Sequence, residues 1–439
     1  YRDKIVVDLQ NFIKIQSIEG EAKPNMPFGV NTNSALEFVL NKGKEFGFKT
    51  KNIDGYSGYV EIGEGNHLIG ILGHVDVVPA EGNWNFPPFE GAIEDGKLYG
   101  RGSVDDKGPI ISILYSMKLL QENNLIAKGN RVRLILGTAE ETSWGGIKYY
   151  LEKEEIPDVS FTPDANFPVI HGEKGLLDFD LKMKFNNKLD NGISIINING
   201  GDSRNSVPSK CSANLRIEPD KNQFLNKKIE EFNEKYNCNV TAAYNENNAA
   251  LQTMGQTAHG ATPEEGINSI SYMIAFLNTL NLSNGDSTKV IKEYNKLIGL
   301  EYNAESFGCY FEDELSGKTT LNIGTIELDK NGVILKCNLR YPICIKYEDI
   351  LNNIENSLKN SPLEYHEFEL LKPIYLSKDD KLIKTIMDIY REVTGDYESE
   401  PIVIGGATYA RALPNTVAFG PVFPGQNELA HQSNEFISI

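Results

Sequence analysis

Histidine is scarce in this chain, with 6 among 439 residues, and one of them stands as His74-Val75-Asp76 directly after the apolar run "HLIGIL". On an extended strand residues i and i+2 face the same side, so His74 and Asp76 can meet there. A carboxylate on one imidazole nitrogen fixes the tautomer and leaves the other nitrogen to bind a metal. The pair is also compatible with a hydrogen-bonded core histidine, or with a general base oriented by a carboxylate.

Four further stretches carry candidate chemistry. "GRGSVDDKGP" sets Asp105 and Asp106 before a helical pattern. Aspartate there can be an N-cap or part of a solvated turn, but glycines on both sides also let the backbone bend tightly and present a carboxylate. "TAEET" places Glu140 and Glu141 at the end of an apolar run, where they either face solvent or, if buried, require cations. Asp164 in "TPDANFP" reads alone as a turn, and His431 in "PGQNELAHQSNEF" as a loop histidine. Together, His74, Asp105, Glu141, Asp164 and His431 supply two imidazoles and three carboxylates, with Glu140 left over. Mixed nitrogen and oxygen donors of this number suit a two-metal hydrolytic site, with zinc favoured and manganese or cobalt possible. In such a site a carboxylate bridges the ions and a free carboxylate relays the proton of the attacking water. His67 and His366 lie in unpatterned surroundings and carry no expectation.

The elements that must position these residues read as α/β alternation up to about residue 175. "SALEFVLNKGKEFG" (34–47) and "GPIISILYSMKLLQENN" (108–124) have helical spacing. "HLIGILGHVDVV" (67–78) and "RVRLILGTAE" (131–140) read as buried strands with polar residues at their carboxyl ends, where open α/β sheets place ligands. From about 176 to 372 the texture changes to polar segments alternating with short strands such as "CSANLRI", "TLNIGTIEL" and "GVILKCNLRYPI", an α+β pattern. "KLIKTIMDIYREVTG" (381–395) and "PNTVAFGPVF" then return to the first texture, so the middle reads as an insertion.

Composition narrows the partners. Apolar residues at 40% and charged residues at 24% describe an ordinary globular chain, and the formal net charge of -18 argues against nucleic acid or an anionic membrane. The 5 cysteines are an odd number without a CxxC pair, which favours a reducing cytoplasmic setting over a disulfide framework. No apolar run reaches the ~18 residues of a transmembrane helix, and no signal-peptide pattern opens the sequence. No GxSxG elbow supports a serine hydrolase.

Taken in order, "GHVDVVP", "GRGSVDDKGP", "EET", "PDANFP…GEKG", "QTAHGATPEEG", "GGATYAR" and "AHQSNE" resemble the dinuclear zinc peptidases that include carnosinases, aminoacylases and succinyl-diaminopimelate desuccinylases. The resemblance spans nearly the whole chain. It implies an α/β catalytic domain with a mixed sheet flanked by helices, in two parts (1–175 and 373–439), interrupted by an inserted α+β lid domain (176–372). It implies that His74, Asp105 and Asp164 hold one metal and that Asp105, Glu141 and His431 hold the other. Glu140 would be the general base, Asp76 would orient His74, and the peptide after Asp105 would be cis.

Within that family the long insertion and "GGATYAR" look most like the bacterial dipeptidase branch. There the enlarged lid substitutes for a partner's lid, so a monomer acting on small peptides is expected. His259 would stabilise the oxyanion, Asn205 and Arg340 would hold the substrate's carboxylate, and Gly405 and Gly406 would let the backbone approach it. Ala407 departs from the small hydroxyl residue or glycine expected at that place, and the sequence stops eight residues after His431 where a closing helix usually follows. The competing expectations are an N-acyl amino-acid deacylase with the same metals and a non-catalytic binding protein on this scaffold.

Overall fold

The computed structural model describes residues 1–186 and 192–439, and the chain divides into two compact units. The first comprises Tyr1–His171, Leu376–Ile402 and Thr408–Ile439, and the second Gly172–Tyr375 with Val403–Ala407. Gly175–Lys184 already pairs with strands of the second unit, so that unit begins slightly before the expected residue 176. Segment 403–407, expected in the catalytic part, clusters with the second unit.

In the first unit, strands Lys49–Ile53, Ser57–Gly63, Gly129–Gly137, Gly65–His74, Val159–Thr162 and Thr416–Ala418 lie side by side in that order. The first pairings are antiparallel and the last three are parallel, which makes the sheet mixed. Successive strand residues point to opposite faces, and the apolar runs serve both. Ile71, Leu134 and Leu136 pack on one face against helices Arg2–Ile13, Val30–Glu45 and Lys107–Glu122. Leu72 and Ile135 pack on the other, against helix Gly145–Lys153 and Tyr409. Burying such an aliphatic side chain contributes roughly 1.5–3 kcal/mol. The strand ends that carry the candidate residues are therefore anchored on both sides.

In the second unit, an eight-stranded sheet among the described residues runs Asn239–Asn245, Asn248–Met254, Lys210–Arg216, Ser194–Gly200, Thr320–Asp329, Gly332–Tyr341, Gly175–Lys184 and Glu364–Leu371. Every neighbouring pair is antiparallel. Alternation sends Leu177, Phe179 and Leu181 into the core shared with helices Ser269–Leu277, Asp286–Leu297 and Tyr347–Leu358. The intervening Asp178 and Asp180 take the other face.

Among the described residues no helix is long and apolar enough to cross a membrane. All five cysteines are free thiols.

Candidate metal centre

Three neighbouring parallel strands deliver the site at their carboxyl ends. Gly65–His74 ends on His74 itself, Gly129–Gly137 runs on into Glu140 and Glu141, and Val159–Thr162 runs on into Asp164. Asp105 arrives from the other direction, in the glycine-flanked loop before helix Lys107–Glu122, and its peptide bond to Asp106 is cis. His431 comes from the C-terminal loop and is the most exposed of the group, at 55%.

Asp105 joins the two imidazoles. Its Oδ1 lies 2.8 Å from His74 Nε2 and its Oδ2 lies 3.1 Å from His431 Nε2. Glu141 is 2.9 Å from the same His431 nitrogen, and Asp164 is 3.8 Å from His74 Nε2. Two sets of donor atoms follow, each within 4.8 Å: His74, Asp105 and Asp164, and Asp105, Glu141 and His431. All five residues expected from the sequence as ligands are in them, and Asp105 is in both.

The orientation of His74 differs in detail from the expectation. Its strand ends at His74, so Val75 and Asp76 no longer follow the pleat. The Nδ1 atom lies 3.1 Å from the backbone carbonyl of Asp76 and 3.6 Å from the carboxylate. A carbonyl can only accept, so the Nδ1 proton is fixed and Nε2 is the nitrogen turned to the cluster. The other oxygen of the Asp76 carboxylate accepts from the Glu141 backbone N–H at 3.0 Å. It thereby ties the end of one strand to the loop after the next.

Three contributors lie outside the sequence expectation. Asp106 occupies the N-cap position without capping the helix, and its carboxylate accepts from the His74 backbone N–H at 3.1 Å. A Cβ on Gly73 would come within 2.6 Å of that carboxylate, which explains the glycine before His74. Tyr409 is fully buried, with its ring edge-on to His74 at 6.2 Å and to Trp144 at 5.4 Å. Glu435, also fully buried, holds the loop that carries Asp105. "GGATYAR" and "AHQSNE" contain two of these residues, but nothing local in those strings tells which side chain is buried.

Electrostatics test whether the set fits cations. Burial opposes charge on His74, yet its bonds to Asp105 and Asp76 raise its pKa well above the imidazole range. Hydrogen bonds to Asp105 and Glu141 push His431 up to about 11. Burial, reinforced by the charge on Asp105, raises Asp164 to about 8, and burial raises Glu140 well above the carboxylate range. Without ions the cluster therefore recruits protons as counter-charge, as expected where carboxylates are gathered for cations. The donor set fits two divalent metals.

A ligating histidine must be neutral, so cations must displace the protons on His74 and His431. Because both pKa values are raised, apparent metal affinity should climb as pH rises through neutrality toward the alkaline range. Calorimetric titration of metal-free protein near pH 7.5, in two buffers of different ionisation enthalpy, should show protons released on binding. Heats that do not depend on the buffer would contradict this charge assignment.

The five residues expected to contact substrate belong to the second unit. Arg340, on strand Gly332–Tyr341, is buried and donates from Nη1 to the Gly405 carbonyl at 2.6 Å and from Nε to Asn338 Oδ1 at 3.0 Å. Asn338 in turn donates to Asp178 at 2.6 Å. The Asn205 carbonyl accepts from Gly260 N–H at 2.6 Å, and Ser206 forms a β-bridge with His259. Gly406 follows Gly405 in the same short segment. Burial, with the charge of Arg340, lowers the pKa of His259. Its Nδ1 lies 3.3 Å from the Ala261 backbone N–H, which can only donate, so the ring proton is on Nε2.

Known proteins bear on this architecture directly. The profile of peptidase family M20/M25/M40 matches residues 70–439, and the chain belongs to that family. It is thus a hydrolase of the metallopeptidase class. A Bacillus subtilis (strain 168) protein named "Putative dipeptidase YtjP" is 36% identical over 442 aligned positions, covering 100% of this chain and 94% of its own. The fold is shared with human carnosine dipeptidase 1 at a TM-score of 0.57 and 15% identity, over 100% of this chain and 92% of that one. It is also shared with aminoacylhistidine dipeptidase from Vibrio alginolyticus at 0.56 and 14%, over 98% and 93%.

Proposed function

We propose that the protein is a dipeptidase that cleaves short peptides with free termini at a pair of divalent cations, zinc first, with manganese or cobalt as alternatives. The observation that carries this reading is the Asp105 carboxylate, which turns one oxygen toward each imidazole and belongs to both donor sets. His74, Asp105 and Asp164 would hold one ion, and Asp105, Glu141 and His431 the other. When bound, such a pair polarises the scissile carbonyl and makes a shared water acidic. The dipeptidase assignment is further supported by the name of the 36% identical relative.

The chain's own residues move the protons. Glu140 takes a proton as the water oxygen attacks the carbonyl carbon, then passes it to the amine nitrogen as the C–N bond breaks. His259, with its proton on Nε2, is suited to donate to the oxygen that gains charge. Arg340 and Asn205 would bind the substrate's C-terminal carboxylate, with Gly405 and Gly406 offering backbone beside it.

Hydrolysis of a panel of free dipeptides, C-terminally amidated dipeptides and N-acetyl amino acids tests the assignment, with zinc and manganese compared. Free dipeptides should be turned over best, and Arg340→Ala should lower their kcat/KM by roughly 10- to 100-fold, the loss of a charge-assisted contact. The amides should change little in that variant. Equal cleavage of free and amidated dipeptides by the wild type would remove the carboxylate-anchoring role. Preference for N-acetyl amino acids would replace the dipeptidase reading with the deacylase one.

A further inference from the structure

Glu435 is a carboxylate with 0% exposure, placed four residues after His431. Its Oε2 accepts from Arg101 Nη1 at 2.7 Å and from Gly102 N–H at 3.1 Å. Its Oε1 accepts from Val104 N–H at 2.9 Å and from Asp105 N–H at 3.3 Å. The carboxylate thus sits inside the turn 101–105 and takes up its inward-pointing donors. Arg101 completes the closure, donating from Nη1 to the Gln432 carbonyl at 3.2 Å and from Nη2 to the Pro79 carbonyl at 3.3 Å.

The backbone around Glu435 reinforces the link. Phe436–Ser438 pairs antiparallel with Lys97–Tyr99, and Gly100 N–H donates to the Glu435 carbonyl at 2.9 Å. The C-terminal segment therefore lies along the strand that enters the glycine loop. Glu435 fastens that loop where the strand pairing ends. The loop carries Asp105, and the segment before Glu435 carries His431, two of the three residues in one donor set. In the other set, His74 and Asp164 come from strand ends and only Asp105 depends on this loop.

We infer that Glu435 is a positioning residue for the cation site formed by Asp105, Glu141 and His431, setting the distance between the Asp105 loop and the His431 loop. The inference rests on the ligand reading proposed above. A buried carboxylate with four donors is the kind of group whose removal leaves donors unsatisfied, so a purely structural role would appear as lower stability. A positioning role makes a further demand: the site of Asp105, Glu141 and His431 weakens more than the other, because it draws two residues from the joined loops and the other set draws only Asp105.

The test is a Co²⁺ titration of chelator-stripped full-length protein, followed by visible absorption, for wild type, Glu435→Gln, Glu435→Asp and His431→Ala. Glutamine keeps the shape but turns an amide toward N–H donors. Aspartate keeps the charge but withdraws it from the turn, and provides the reading if the glutamine variant does not fold. In either folded variant, one equivalent should bind at least 10-fold more weakly and lose clearly more affinity than the other, with turnover recovered by excess Co²⁺; equal weakening of both equivalents would also overturn the inference. Two equivalents bound with wild-type affinity would overturn the inference, whatever happens to Tm. Two equivalents bound as in wild type by His431→Ala would overturn the ligand reading beneath it, which separates the two failures.

Discussion

Glu140→Ala is expected to lower kcat by ~10²–10⁴-fold, the usual contribution of a positioned acid–base group, while the protein keeps both cations. The separation follows from the geometry. Glu140 lies beside the cluster at the same strand end as Glu141, yet it is in neither donor set. Burial raises its pKa well above the carboxylate range, and the negative charges of Asp164, Glu141 and Asp105 add to this. Glu140→Gln should be nearly as impaired, since the amide preserves size but cannot carry the proton. Metal analysis beside steady-state kinetics checks both halves. A Glu140→Ala enzyme with most of its activity would take the residue out of the mechanism, and one that lost a metal would make it a ligand.

Asp105→Ala should have the largest effect of any single replacement, because one side chain contributes to both donor sets. Removing it also leaves His74 and His431 without the partner that each faces at 2.8 and 3.1 Å. Both cations should bind more weakly and turnover should fall to background. His74→Ala or His431→Ala should each impair one ion. The comparison is made by metal content after dialysis against a fixed free-metal concentration. Loss confined to one equivalent in Asp105→Ala would show that the residue serves a single ion.

How far the sequence carried this reading depended on whether the controlling interaction was local. Strand ends were legible because apolar runs stop where polar residues begin. His74, Glu140 and Glu141 are marked that way, whereas Asp164 read alone as a turn and Asp105 and His431 as loop residues, so those three stood out only as members of the set, and the resemblance added their division between two ions. The orientation of His74 was not legible, because whether the strand continues to Asp76 depends on the parallel pairing that ends with His74 opposite Gly137. Helix Val30–Glu45 begins four residues before the apolar periodicity at Ser34, following Gly29 at a φ of 95° that other residues seldom adopt. The placement of Gly405 was also hidden, since it depends on the bond from Arg340, 65 residues away in sequence. Glu435 and Asp106 act through hydrogen bonds to loops and strands that no spacing rule connects to them.

The central claim is that one aspartate is shared between two adjacent cation sites, and electron paramagnetic resonance of the manganese-loaded protein tests it most directly. Dinuclear sites hold their ions ~3.5–4 Å apart, close enough for two Mn²⁺ ions joined by a carboxylate to couple magnetically. The account predicts two Mn²⁺ per chain with an exchange-coupled spectrum, reduced in His431→Ala to the six-line signal of a single ion. A wild-type protein that saturates at one Mn²⁺, or that binds two with only uncoupled six-line signals, would contradict it.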